Sequence, residues 1–295
     1  MNNSDFIQRF LFETLPVRGE YIFLHQSYQT IIAQHEYPPA IKRLLGEALA
    51  ISGMLSAIIK FEGRLTVQFQ GKGPLKLLLA QSDHQFNLRG LAQWSEDLTY
   101  EQLMQSLHEG ILVVMVDPFK SQNRQQGVVE WRGNSLAESI EHYFRVSEQL
   151  PTTIHLAVDD QSAAGFLLQP IPGKRDKIIL EEEEIDAYHL KAQNLNLNPT
   201  SLLKGDLQTL LPSLFPEDEL RIFDKHAVAF KCTCSRERSG EAIYILGRAE
   251  AEAELKDKQV ITVTCDFCNQ EFNFDRHDVE YIFISHEEPP NANLH

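Results

Sequence analysis

The sequence predicts an α+β protein in three parts. They are an N-terminal α/β domain with an antiparallel sheet over 1–178, a helical linker over 179–231, and a small C-terminal domain over 232–295. Three observations carry this. Short β-prone runs cut by glycine and aspartate fill much of the first part, one long apolar helix sits among them, and Cys232, Cys234, Cys265 and Cys268 are the only cysteines. A chain of 295 residues with 43% hydrophobic and 23% charged residues can bury a sizeable core and is neither disordered nor fibrous in composition.

The elements follow in order. Phe6, Ile7, Phe10 and Leu11 stand at helical spacing and predict a helix over 4–14, ended by Pro16. Tyr21–Leu24 reads as a strand. Pro38–Pro39 open a helix that runs to about Ile59, since proline is tolerated in a first turn. Leu65–Gln70, Leu75–Ala80 and Phe86–Trp94, separated by Gly71, Gly73 and Asp83, predict an antiparallel meander. Ile111–Val116 and Gly127–Trp131 add strands. Ser135–Ser147 is a helix with Leu136, Ile140, Tyr143 and Phe144 on one face, capped by Asn134 or Ser135. Ile154–Val158 and Gly165–Ile171 complete the β-content.

The linker differs in character. It carries the run Glu181–Glu184, and its acids outnumber its bases 10 to 5. Leu203, Leu207, Leu210 and Leu214 recur at helical spacing after the start signal Asn198–Pro199. Gly205 inside that helix costs about 1 kcal/mol relative to alanine, and Pro212 and Pro216 cut the helices short. Short helices are marginal alone, so this segment is expected to stay folded only while docked. Beyond it, Ala249–Leu255 reads as helix and Val260–Val263 as strand. Asp275–Ile284 reads as a helix capped by Asp275, and the last ten residues as a frayed tail.

Charge and hydropathy narrow the function. Acids outnumber bases 42 to 27, a net charge of −15, which suits phosphate backbones poorly and predicts no nucleic-acid partner. Asp5, Arg9 and Glu13 interrupt the N-terminus, so it lacks a signal peptide's apolar run. The longest uncharged apolar stretch, twelve residues between Glu47 and Lys60, is too short for a bilayer. No membrane association is expected, and the reducing cytoplasm is the predicted compartment.

The chemistry concentrates in the cysteines. Cys232–Thr233–Cys234 and Cys265–Asp266–Phe267–Cys268 form C-x-C and C-x-x-C pairs separated by 30 residues. Two close pairs that fold together supply the four thiolates that tetrahedral zinc prefers. The predicted fold thus ends in a four-cysteine zinc domain with one Zn2+ per chain in the reduced form. His226 and His277 read as surface histidines. The region 232–295 has few large apolar residues and should depend on metal to fold. Such a site serves either as a structural clip, the commoner case from spacing alone, or as a redox switch. Enzyme signatures are weak. There is no phosphate-binding loop, Gly71 and Gly73 are only a fragment of a dinucleotide fingerprint, and Ser201-x-x-Lys204 lies in a leucine-rich helix without its partner motifs. No enzymatic activity is predicted.

Five segments resemble one family. FKCTCSRER (230–238), VTCDFCNQEFNFD (263–275), YFRVSEQLPT (143–152), AAGFLLQPIP (163–172) and VQFQGKGPLK (67–76) are similar to those of the bacterial redox-regulated holdase chaperones, the heat shock protein 33 family. The resemblance covers nearly the whole chain. It implies an α+β N-terminal domain, a metastable linker and a zinc domain ligated by Cys232, Cys234, Cys265 and Cys268. It also implies that oxidation forms redox-active disulfides Cys232–Cys234 and Cys265–Cys268 and releases zinc. The linker then unfolds, and the activated form, usually a homodimer, holds unfolding client proteins without ATP. The linker leucines would be freed with the surface they cover, and exposed apolar surface binds clients. Two other functions compete: a zinc ribbon binding nucleic acid or protein, and a thiol–disulfide oxidoreductase. The first meets 13 acids against 6 bases over 232–295, and the second lacks a thioredoxin-like context around Cys265 and Cys268.

Overall fold

The computed structural model describes residues 4–120, 124–171, 187–188, 190–192, 195 and 197–287. The chain divides into two compact units, Met1–Lys231 and Cys232–His295.

The larger unit holds two sheets. The first runs β10 (Leu220–Ala227), β1 (Phe6–Phe12), β2 (Val17–Leu24), β9 (Ala163–Pro170), β8 (Thr153–Val158), with every neighbour antiparallel. The second runs β11 (Ala229–Phe230), β5 (Asn87–Trp94), β4 (Leu75–Asp83), β3 (Gly63–Gln70), β6 (Ile111–Pro118), β7 (Gln125–Glu130). Its central β3–β4–β5 is the expected antiparallel meander, and β11 joins β5 in parallel. Helix α2 (Pro39–Ile58) starts at the paired prolines and packs on strands of both sheets. It is apolar nearly all round, and Leu44, Leu45, Ala48, Leu49, Ile51, Met54 and Leu55 are fully buried. Gly53 lets it approach the first sheet, because a Cβ there would lie 2.3 Å from Ile22 Cδ1.

The helix expected over 4–14 is a strand. Phe6, Phe10 and Phe12 enter one apolar cluster and Ile7 enters the other. Apolar residues on both parities give a strand two buried faces, whereas a helix would bury only one stripe. Helix α1 (Gln26–Ile32) follows β2 and is capped from afar: the Asp5 carboxylate accepts the backbone N–H groups of His25 (2.6 Å), Gln26 (2.9 Å) and Ser27 (2.6 Å). Helix α3 (Tyr100–Ser106) carries a capping box between Thr99 and Gln102. Helix α4 (Leu136–Tyr143), capped by Ser135, continues as a π-helical turn over Phe144–Glu148. The helix expected over Ser135–Ser147 therefore changes type in its last turn.

The linker is only partly helical. Helices α5 (Pro199–Leu202) and α6 (Leu207–Leu214) are present, capped by Asn198 and Asp206. Gly205 lies between them at φ +68°, not inside one helix, so it supplies a left-handed turn. Pro212 sits within α6 and does not end it. Residues Leu220–Phe230 are strands, because the edges of β1 and β5 offer them ladders. The Glu181–Glu184 run lies outside the described residues.

The smaller unit contains α7 (Arg236–Leu246), α8 (Arg248–Lys258), the antiparallel pair β12 (Ile261–Thr264) and β13 (Glu271–Phe274), and α9 (Arg276–Glu287). Asp275 caps α9 as expected, its carboxylate accepting from the Asp278 N–H at 2.9 Å. Helix α7 and strand β13 were not expected. The core comprises Ile243, Ala251, Leu255, Ile261, Phe274, Val279 and Phe283. The predicted tail lies outside the described residues from 288 onward.

Candidate metal centre

Two loops bring the cysteines together. Cys232 and Cys234 precede α7, whose first turn is capped by Ser235, with Arg238 N–H donating to its hydroxyl at 3.3 Å. The Arg238 guanidinium reaches back to the Thr233 carbonyl (2.7 Å) and hydroxyl (3.0 Å), pinning the residue between the two thiols. Cys265 and Cys268 occupy the turn joining β12 to β13. There the Cys265 carbonyl accepts from the N–H groups of Cys268 (3.3 Å) and Asn269 (2.8 Å), and Cys265 N–H donates to the Gln270 carbonyl at 3.0 Å. Asn269 completes the turn at φ +53°, a left-handed conformation that asparagine tolerates.

The four sulfurs all lie within 4.8 Å of one another, and all four residues are half-buried. Cys232 Sγ is 3.6 Å from Cys265 Sγ, and Cys234 Sγ is 3.5 Å from Cys268 Sγ. Sulfurs placed tetrahedrally at about 2.3 Å from a zinc ion stand about 3.8 Å apart. The spacing thus fits the group. No disulfide is formed, and the closest pairs join one loop to the other. Among the described residues no other cluster of three or more His, Cys, Asp or Glu side chains has such geometry. His226 is exposed on β10 and His277 is exposed on α9, so neither joins the cluster.

The four thiols perturb one another. Burial alone would raise the Cys232 thiol, but the Cys234 backbone N–H and the neighbouring thiols bring it down to about 7. Burial, with the Cys268 and Cys232 thiols behind it, pushes Cys234 up, and burial pushes Cys268 up. A thiolate is therefore favoured at Cys232 and opposed at Cys234 and Cys268. Thiolates this close repel one another, and a bound cation would offset that repulsion. The N-terminus of α7, two residues beyond Cys234, adds a favourable partial charge.

A second feature carried no motif. One face of the first sheet presents Phe6, Phe10, Phe12, Tyr21, Phe166 and Leu168, and this face is covered by the linker. Leu202, Leu207, Leu210, Leu211 and Phe215 are buried against it, with Leu203 and Leu214 partly so. The Tyr21 hydroxyl donates to the Leu202 carbonyl at 2.5 Å. The predicted linker leucines are thus placed together on one aromatic surface. Phe6, Phe10 and Phe12, all of one parity, were the signal that would have revealed it.

The fold and the cluster define a class: an α+β protein with two antiparallel-rich sheets and a small C-terminal four-cysteine module. A family model described as "Hsp33 protein" matches residues 5–275. The chain is 39% identical over 291 residues to the 33 kDa chaperonin of Nitrosococcus oceani, covering 98% of each chain. It is 39% identical over 299 residues to that of Pseudomonas paraeruginosa, covering 100% of each. The crystal structure of the Thermotoga maritima 33 kDa chaperonin (heat shock protein 33 homolog) has the same fold. Its TM-score is 0.81 at 22% identity, over 97% of this chain and 99% of that one. The chain belongs to the heat shock protein 33 family, a family of redox-regulated chaperones. None of its helices, among the described residues, is long and apolar enough to cross a membrane.

Proposed function

We propose that this chain is an ATP-independent holdase, without enzymatic activity, that works in the cytoplasm and is switched on by oxidation of Cys232, Cys234, Cys265 and Cys268. Residues 1–178 act as the chaperone domain, 179–231 as a metastable linker and 232–295 as the redox switch. One zinc per chain, held by the four sulfurs in the reduced form, would keep them as thiolates and tie the two loops together. The core of the small unit is too slight to replace that tie.

The oxidative step balances simply. Two thiolates of one pair give two electrons to hydrogen peroxide, which takes up two protons and leaves as two waters while one S–S bond forms. Two such steps yield Cys232–Cys234 and Cys265–Cys268. A sulfur in a disulfide no longer carries the thiolate charge that binds the ion, so the tie is lost. Cys232 follows Ala227, the end of β10, by five residues. Unfolding that starts at the cysteines therefore propagates directly into the linker. Its departure bares the aromatic face, a surface suited to unfolding clients, and the chain's net charge of −15 keeps the complex soluble. The oxidised form is a homodimer in this reading.

The observation that carries the proposal is the pairing of one cysteine cluster, containing every cysteine in the chain, with a linker that covers an aromatic face. Light scattering of a thermally aggregating client, without ATP, tests it. Protein treated with peroxide and mild heat should suppress aggregation and release about one zinc per chain, since one tetrahedral site uses all four cysteines. Equal scattering with reduced and oxidised protein would sink it.

A further inference from the structure

Strand β10 holds the edge of its sheet by an imperfect ladder. It pairs with β1 from Phe6↔Ala227 to Gln8↔Lys225, and again from Phe10↔Ile222 to Phe12↔Leu220, with an irregularity between. At that break the Gln8 side chain, not a strand partner, donates to the Phe223 carbonyl at 2.8 Å. The other end of that amide, Gln8 Oε1, is buried and has no hydrogen-bond partner among the described residues, which costs stability. Leu220 and Ile222 are half-buried and the rest of β10 is exposed, so little apolar burial holds it in place. By contrast β1 is regularly paired to β2 and buried on both faces.

The ladder also shows which backbone groups β10 would leave behind. Glu13 N–H donates to the Glu219 carbonyl (2.9 Å) and Val228 N–H to the Asp5 carbonyl (3.2 Å). Residues 5, 7, 9, 11 and 13 therefore turn their N–H and C=O groups toward β10, and the even residues turn theirs toward β2. Phe10↔Ile222 and Phe12↔Leu220 are then pairs whose own hydrogen bonds point away from each other, and their side chains lie on the aromatic face. Arg221, opposite Leu11, faces β1 with its backbone and turns its side chain to the other side.

We propose that, once β10 has left, the free edge of β1 takes an extended segment of an unfolding polypeptide as an added antiparallel strand. Alternate apolar side chains of that segment lie on the Phe6, Phe10 and Phe12 face, continuous with the surface the linker helices vacate. This rests on the reading of the chain as an oxidation-activated chaperone. The occupant's chemistry is given by β10 itself: apolar residues on the aromatic face, and backbone groups of the intervening residues on β1. An unbulged segment makes the ladder that β10 cannot complete opposite Arg9. Main-chain pairing tolerates many sequences, while alternation selects segments that would otherwise aggregate by the same edge pairing.

The experiment uses the full oxidised chain and short peptides of alternating valine and threonine. One peptide is N-methylated at its threonines, the other at its valines, so that each has one blocked edge. With valines on the aromatic face, the threonine N–H groups point at β1. The threonine-methylated peptide should bind at least about tenfold more weakly than the valine-methylated one, the loss expected for two or more hydrogen bonds. Hydrogen exchange should show Ile7, Arg9 and Leu11 amides gaining protection when the unmethylated peptide is added. Equal affinities of the two peptides overturn the proposal. So does protection of those amides without peptide that rises with protein concentration, because a second copy's β10 then fills the edge. The same samples are run in the client-aggregation assay. Suppression with equal peptide affinities overturns the edge site and leaves the chaperone reading standing, whereas no suppression by oxidised protein overturns both.

Discussion

The two units of this chain solve the stability problem by different means. Met1–Lys231 buries two large apolar clusters, one around α2 between strands of both sheets and one on the far face of the first sheet, and it contains no cysteine. Cys232–His295 has, among the described residues, a core of seven buried side chains, and it holds all four cysteines. Apolar burial is indifferent to oxidants, and thiolate ligation is not. Thiol oxidation is therefore confined to the smaller unit, and the apolar cluster around α2 offers it no cysteine. Among the described residues, Leu202–Phe215 forms no separate cluster and packs on the aromatic face of the first sheet.

The largest expected effect comes from removing the metal. A strong chelator, or Cys268→Ser, should unfold 232–295 and leave the apolar cluster around α2 intact, because zinc contributes about 10–16 kcal/mol in domains of this kind. Hydrogen exchange checks it, and retained protection of β12, β13 and α7 after metal loss would contradict it. The complementary substitution sharpens the contrast. Phe166 is fully buried with its ring 5.4 Å from Phe10. Phe166→Ala should destabilise the larger unit by about 3–5 kcal/mol in denaturant titration, while chelator competition shows zinc retention unchanged. A parallel loss of zinc affinity would mean the units are not separable.

A smaller effect probes the linker. Leu211 is buried in α6 against the aromatic face, so Leu211→Ala removes about 2–5 kcal/mol from a segment with little to spare. Aggregation suppression should then appear in the reduced, zinc-loaded protein, and none at any temperature below global unfolding would argue against linker release as the gate. The smallest effect concerns pH. Burial holds the Glu47 carboxyl above its ordinary value of 4.5, against the hydrogen bond its carboxylate accepts from the Tyr100 hydroxyl and the nearby Arg43. The folded state therefore binds the proton more tightly than the unfolded state. This group's contribution is greatest below 4.5 and is lost as pH rises through the raised folded value. Glu47→Gln should flatten that decline in stability–pH curves of the larger unit, and an unchanged slope would show that another group sets it.

Sequence alone determined the parts of this protein whose causes are local. Spacing pointed to one cluster of all four cysteines, because close C-x-C and C-x-x-C pairs each hold two thiols together, and the sulfurs do lie within 4.8 Å of one another. The paired prolines and an apolar run placed α2, and glycine and aspartate punctuation placed the β3–β4–β5 meander. Tertiary structure decided what local pattern leaves open. Phe6–Phe12 fits helical spacing, and only a sheet with two apolar faces makes it a strand. Leu220–Phe230 carries an ordinary mixed pattern, and only the open edges of β1 and β5 make it β10 and β11. Asp5 caps a helix that begins some twenty residues later and announces nothing in the sequence, because that hydrogen bond exists only once β1 and β2 have paired. The physical reason is the same in each case. Caps, ligand spacings and turn residues act within a few bonds, whereas strand identity and the covering of a face depend on partners that folding alone brings together.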